Sequence, residues 1–69
     1  MIETIRRWQY YNPDTHAFDR ERTTREYARL IGVSESMLSH VYAGRKRPGG
    51  KVIIGLLRVF PAIAAEFAR

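Results

Sequence analysis

At 69 residues the chain is expected to form a single domain (1–69) with a small core, and without cysteine it has no disulfides, thiolate chemistry or Cys-ligated zinc. Twelve Lys/Arg against seven Asp/Glu give a net charge of +5, and a hydrophobic share of 45% is too high for a disordered tail. No apolar run approaches the ~18 residues of a membrane span, and no apolar stretch follows the first charges as in a signal peptide, so a cytoplasmic location is expected.

Ile2, Ile5, Trp8 and Tyr11 recur every third residue with Glu3, Arg6, Arg7 and Gln9 between them, which predicts a helix with one apolar face. Pro13 ends it, because the residue before a proline avoids helical geometry. Asn12 to Arg22 reads as a loop from which Ala17 and Phe18 fold back onto the core, as a helical turn. Thr23 followed by Glu26 is a capping box, so a helix is expected to start at Thr24 with Tyr27, Ala28 and Ile31 inward. Gly32 ends it by supplying a positive φ, and Ser34 caps the next helix. That helix buries Met37 or Leu38, Val41 and Tyr42, and stops at Gly44.

The next residues, Arg45-Lys46-Arg47-Pro48-Gly49-Gly50, form a basic turn. Lys51 to Phe60 is helical by pattern, with Val52, Ile53, Leu56, Leu57 and Phe60 apolar and Lys51 and Arg58 outside. Pro61 suits the first position of a last short helix, in which Ile63, Ala64 and Phe67 point inward. Between Ser36 and Ala65 there are five cations and no acid. Such a one-signed block marks a surface for nucleic acid, acidic lipid or an acidic partner.

Residues 23–44 meet the steric demands of two helices crossing through a tight turn. Ala28 is small at the crossing, Gly32 makes the turn, and Val33 plugs the corner beneath it. Leu38 and Val41 face the first helix, whose own face is completed by Tyr27 and Ile31. Residues 23–60 as a whole resemble the helix-turn-helix domains of the Cro/cI repressor class, the Xre family. The likeness rests on the alanine, the Gly-Val-Ser turn, the apolar pair, and the glycine, basic residues and proline that follow. It implies an all-α, compact four- to five-helix bundle of the lambda-repressor-like type, with sequence-specific binding to DNA operators. Two positions depart from the family pattern: Thr24 and Glu35 stand where glutamine is usual.

In that arrangement the second motif helix enters the major groove by its N-terminus. Glu35, Ser36, Ser39 and His40 are then the candidate base contacts. Serine donates to or accepts from any base, glutamate accepts from cytosine N4, and histidine reaches guanine acceptors. Arg45 is a further base-contact candidate. The resemblance lays the basic turn along the sugar-phosphate backbone, which makes Lys46, Arg47 and Lys51 phosphate contacts. Thr24 and Arg25 join them at the free N–H groups of the first motif helix. Phe60, Ile63 and Phe67 are candidates for core, dimer surface or both. The expected function is a DNA-binding transcriptional regulator of phage or plasmid type, a repressor associated with the nucleoid and bound to an inverted repeat as a homodimer.

An antitoxin-type protein-interaction module on the same fold is the alternative. An enzyme is disfavoured. His40 with Ser36 and Asp14 with His16 lack a third partner, and the Gly44–Lys51 stretch misses the spacing and the Ser/Thr of a phosphate loop. No cofactor, metal, small-molecule ligand or membrane partner is expected.

Overall fold

The computed structural model describes residues 1–68. Among them the elements run α1 (Ile2–Trp8), α2 (Thr24–Ile31), α3 (Glu35–Tyr42), α4 (Gly50–Val59), a 3-10 turn (Pro61–Ile63) and α5 (Ala64–Phe67). The protein is thus a small all-α bundle, in which α2 packs against both α3 and α4, and α1 lies on α3.

The first helix is shorter than its apolar period suggests. Beyond Trp8 the chain tightens into i→i+3 bonds, from Gln9, Tyr10 and Tyr11 to the carbonyls of Arg6, Arg7 and Trp8, at 3.1–3.2 Å. Tyr11 still reaches the core, at 9% exposed, but from a turn. The loop that follows folds back as expected, around a single helical turn in which the His16 N–H donates to the Asn12 carbonyl at 2.8 Å. Asn12 and Ala17 form an antiparallel bridge, and the Asn12 side chain accepts from the Asp14 N–H to bend the chain between them. Phe18 then packs on Trp8 and Tyr11 with ring centroids 5.3 Å away from each.

The motif helices begin and end where their residues dictate. Thr23 Oγ1 accepts from the Glu26 N–H, and Ser34 Oγ accepts from the Met37 N–H, so each helix has a side-chain N-cap. Gly32 sits at φ +83°, and the N–H groups of both Gly32 and Val33 close on the Ala28 carbonyl. Gly44 at φ +76° ends α3 in the same manner: its own N–H meets the Val41 carbonyl, and the Arg45 N–H meets that of His40.

Tyr27, Ile31, Leu38, Leu56 and Ile63 are all but fully buried, with Ile5, Trp8, Ala28, Val52 and Phe60 around them. Gly55 permits this packing. A Cβ there would stand 2.0 Å from the Ile31 carbonyl oxygen, so α4 lies directly on the backbone of α2. In the last segment Ile63 is buried and Phe67 half-buried, but Ala64 faces solvent, contrary to its expected inward position. The 3-10 turn accounts for this, since its tighter winding rotates the residues after Pro61 relative to an α-helical continuation.

Candidate nucleic-acid interface

The face of α3 follows from its winding. At roughly 100° per residue, Met37, Leu38, Val41 and Tyr42 occupy one side, and Glu35, Ser36, Ser39, His40 and Ala43 the other. Burial agrees with that division. Leu38 and Val41 are buried, Met37 and Tyr42 half-buried, while Glu35, Ser36, Ser39 and Ala43 are exposed and His40 is half-buried. Ser36, Ser39 and Ala43 form a stripe of small side chains, with Glu35 at one margin and His40 at the other. Short side chains let a helix backbone approach a groove closely. Ser34 is absent from this face in any functional sense, because its hydroxyl is spent on the cap.

The basic turn is joined to this stripe without slack. The His40 carbonyl accepts from the backbone N–H groups of both Arg45 and Lys46, at 2.9 and 3.3 Å. The first two cations are therefore fixed to the last turn of α3 through the backbone, leaving their side chains free. Arg45, Lys46, Arg47 and Lys51 are all exposed, and none of them enters an ion pair among the described residues. Arg25 is also exposed, at the start of α2, whereas Thr24 beside it is half-buried. Glu35 lies in the first turn of α3, where its charge also favours the positive end of the helix dipole.

Of the alternatives open for Phe60, Ile63 and Phe67, the first two residues take the core one, and as dimer-surface candidates they are corrected. Phe60 is 3% exposed and Ile63 is 0%, so both are spent in the monomer core and offer no surface. Their neighbours explain it: Phe60 lies with ring centroids 5.8 Å from Trp8 and 5.4 Å from Tyr11. Phe67 is half-buried against the same core.

The structure adds residues that hold α3 in place. The Tyr42 hydroxyl donates to Gln9 Oε1 at 2.7 Å, and Gln9 Nε2 donates to the Arg22 carbonyl at 2.8 Å. Arg22 returns the contact, donating to the carbonyls of Gln9 and Tyr11 at 3.1 and 2.6 Å. Arg6 lies over the Tyr42 ring, 4.7 Å from its centroid. Burial is the main cause that pushes the Tyr42 hydroxyl well above its ordinary pKa, with Arg6 opposing. Gln9 is the buried polar side chain at the centre of this arrangement, at 5% exposed. Its partners lie 13 and 33 residues away, and no local sequence signal connects them. Ala43 also lies on the exposed side of α3, a place that its helical spacing from Ser36 and Ser39 prescribes.

No family model, curated protein or solved structure matches the chain.

Proposed function

We propose that the protein binds duplex DNA in a sequence-dependent manner, as a transcriptional regulator of the repressor kind, with α3 in the major groove. The observation that carries this reading is the union of two surfaces: an exposed stripe of small side chains on α3, and a run of cations without ion pairs among the described residues, the first two tied to the end of that helix by backbone bonds. A polar stripe alone would be ordinary solvent-facing helix. A basic turn alone would attract any polyanion. Placed end to end, they suit base edges for the one and flanking phosphates for the other.

In this reading Ser36, Ser39 and His40 meet base edges and Glu35 accepts from a cytosine amino group, while repelling the helix from sequences that offer none. Arg45 reaches either a base or a phosphate. Lys46, Arg47, Lys51 and Arg25 hold the backbone, with Thr24 contributing its helix N–H group. Two copies would bind an inverted repeat with half-sites about one helical turn apart.

Selection of bound duplexes from random DNA, followed by a salt titration on the winning sequence, tests this. A palindromic consensus is expected, with log K falling against log salt at a slope of about −5 when roughly three of those four phosphate-contacting cations neutralise a phosphate in each of the two copies, and about −7 when all four do. Ser36→Ala and His40→Ala should each change the selected sequence. Binding with no sequence preference, indifferent to both substitutions, would overturn the proposal.

A further inference from the structure

The outer side of α4 is built unlike a solvated helix face. Ile54 stands 64% exposed in the middle of the helix, the most exposed of the large hydrophobic side chains. Ile53 and Leu57, one position before and three after, are half-buried beside it. Lys51 and Arg58 lie three residues before and four after Ile54, on the same side, and both are exposed. A Cβ at Gly32 would stand 3.1 Å from Arg58 Nη2, so this guanidinium reaches the turn between α2 and α3 and extends the cationic rim beyond α4. Neither cation has an ion-pair partner among the described residues, and α4 itself contains no acid.

The charges decide what could cover these apolar side chains. A second copy is a poor occupant. An antiparallel pairing of two α4 helices about Ile54 would bring Lys51 of one copy within a residue of Arg58 of the other, and a parallel pairing would oppose like residues. Cation meets cation either way. DNA gains nothing from isoleucine beside a phosphate. A bilayer surface needs a long helix with a broad apolar side, and α4 has ten residues and three such side chains. The geometry points to an acidic amphipathic helix of another protein as the occupant, its leucine-like residues over Ile53, Ile54 and Leu57 and its carboxylates facing Lys51 and Arg58. Lys51 is shared with the DNA-binding proposal, but Ile53, Ile54, Leu57 and Arg58 have no part in that interface, so Ile54 substitutions test this assignment separately.

The test uses the full chain and two synthetic helical peptides of identical apolar face, one flanked by glutamates and the other by lysines. Nitrogen–proton correlation spectra would follow each titration. The acidic peptide is expected to bind with shift changes centred on Ile53, Ile54, Leu57 and Arg58, and the basic one at least about tenfold more weakly. Ile54→Asn should weaken the acidic peptide about tenfold or more, the loss expected for one buried isoleucine, while Ile54→Leu retains it. Circular dichroism should show both variants folded, since so exposed a side chain contributes little to the core.

Several outcomes would overturn the assignment. One is equal affinity of Ile54→Asn for the acidic peptide, and another is shift changes confined to Arg45–Arg47, which is charge attraction alone. Self-association of the free protein abolished by Ile54→Asn would give the face to a second copy. Binding to phosphatidylglycerol vesicles lost in the same variant, with no peptide binding, would give it to a membrane.

Discussion

Glu35 is the residue on which the proposed readout turns. It is exposed in the first turn of α3 and carries the sole negative charge of that helix. Glu35→Gln should therefore tighten binding to random duplex and blur the preferred sequence, which a competition assay at fixed salt would measure. Gly55 carries a different kind of weight. Its missing side chain leaves room for the Ile31 carbonyl, so Gly55→Ala forces α4 away from α2 and should cost at least about 1–3 kcal/mol, as overpacked cores do. Urea denaturation measures it. Gly44 is the contrasting glycine: nothing lies within 4 Å of a Cβ there, and only its φ of +76° resists substitution. Gly44→Ala should cost about 1–2 kcal/mol.

Each motif helix keeps its stability and its proposed recognition on different residues. Ser34 caps α3 and Ser36 faces outward two positions later. Ser34→Ala should lower stability by about 1 kcal/mol in urea and leave the selected DNA sequence intact. Ser36→Ala should do the reverse. The two motif helices were readable from the sequence to within a residue, because capping hydroxyls and positive-φ glycines are local signals that act over three or four positions. Thr23, Gly32 and Ser34 behave as their chemistry demands, while the Glu26 carboxylate accepts from the Thr23 hydroxyl and not from its backbone N–H, leaving the capping box half formed. The end of the first helix is not legible in this way, because Tyr11 keeps the apolar period while the backbone has already tightened. For Phe60 and Ile63 the sequence left core and contact surface both open, because an isolated apolar residue carries no mark that separates the two, and burial decides for the core.

Across the whole molecule, the arrangement that holds α3 is made of contacts too distant in sequence to be read there. The Tyr27 hydroxyl donates to the Ile5 carbonyl at 2.8 Å, Tyr42 to Gln9, and both Trp8 Nε1 and Arg7 to the Glu66 carboxylate. Burial pushes the pKa of both tyrosines above the ordinary value near 10, so each keeps its proton to higher pH when folded. Above about pH 10 the unfolded chain sheds protons that the folded one retains, and unfolding gains. Stability should thus hold below that pH and fall above it. Replacing both tyrosines with phenylalanine should flatten the alkaline decline in melting temperature, at a cost of about 1 kcal/mol per lost hydrogen bond at neutral pH. Glu66→Gln should loosen the C-terminal turn and shift Trp8 fluorescence, leaving the α3 stripe unchanged. The bridge between Asn12 and Ala17 bears on how this protein could be handled. Because the chain closes there, Pro13 to His16 protrude as a tip whose ends are already fastened. Extra residues spliced into that tip would forfeit its local hydrogen bonds, such as the one from the His16 N–H to the Asn12 carbonyl, and beyond that cost the slowly growing entropy of a longer loop. It is the natural place to graft an epitope or a fluorophore while the bundle stays whole.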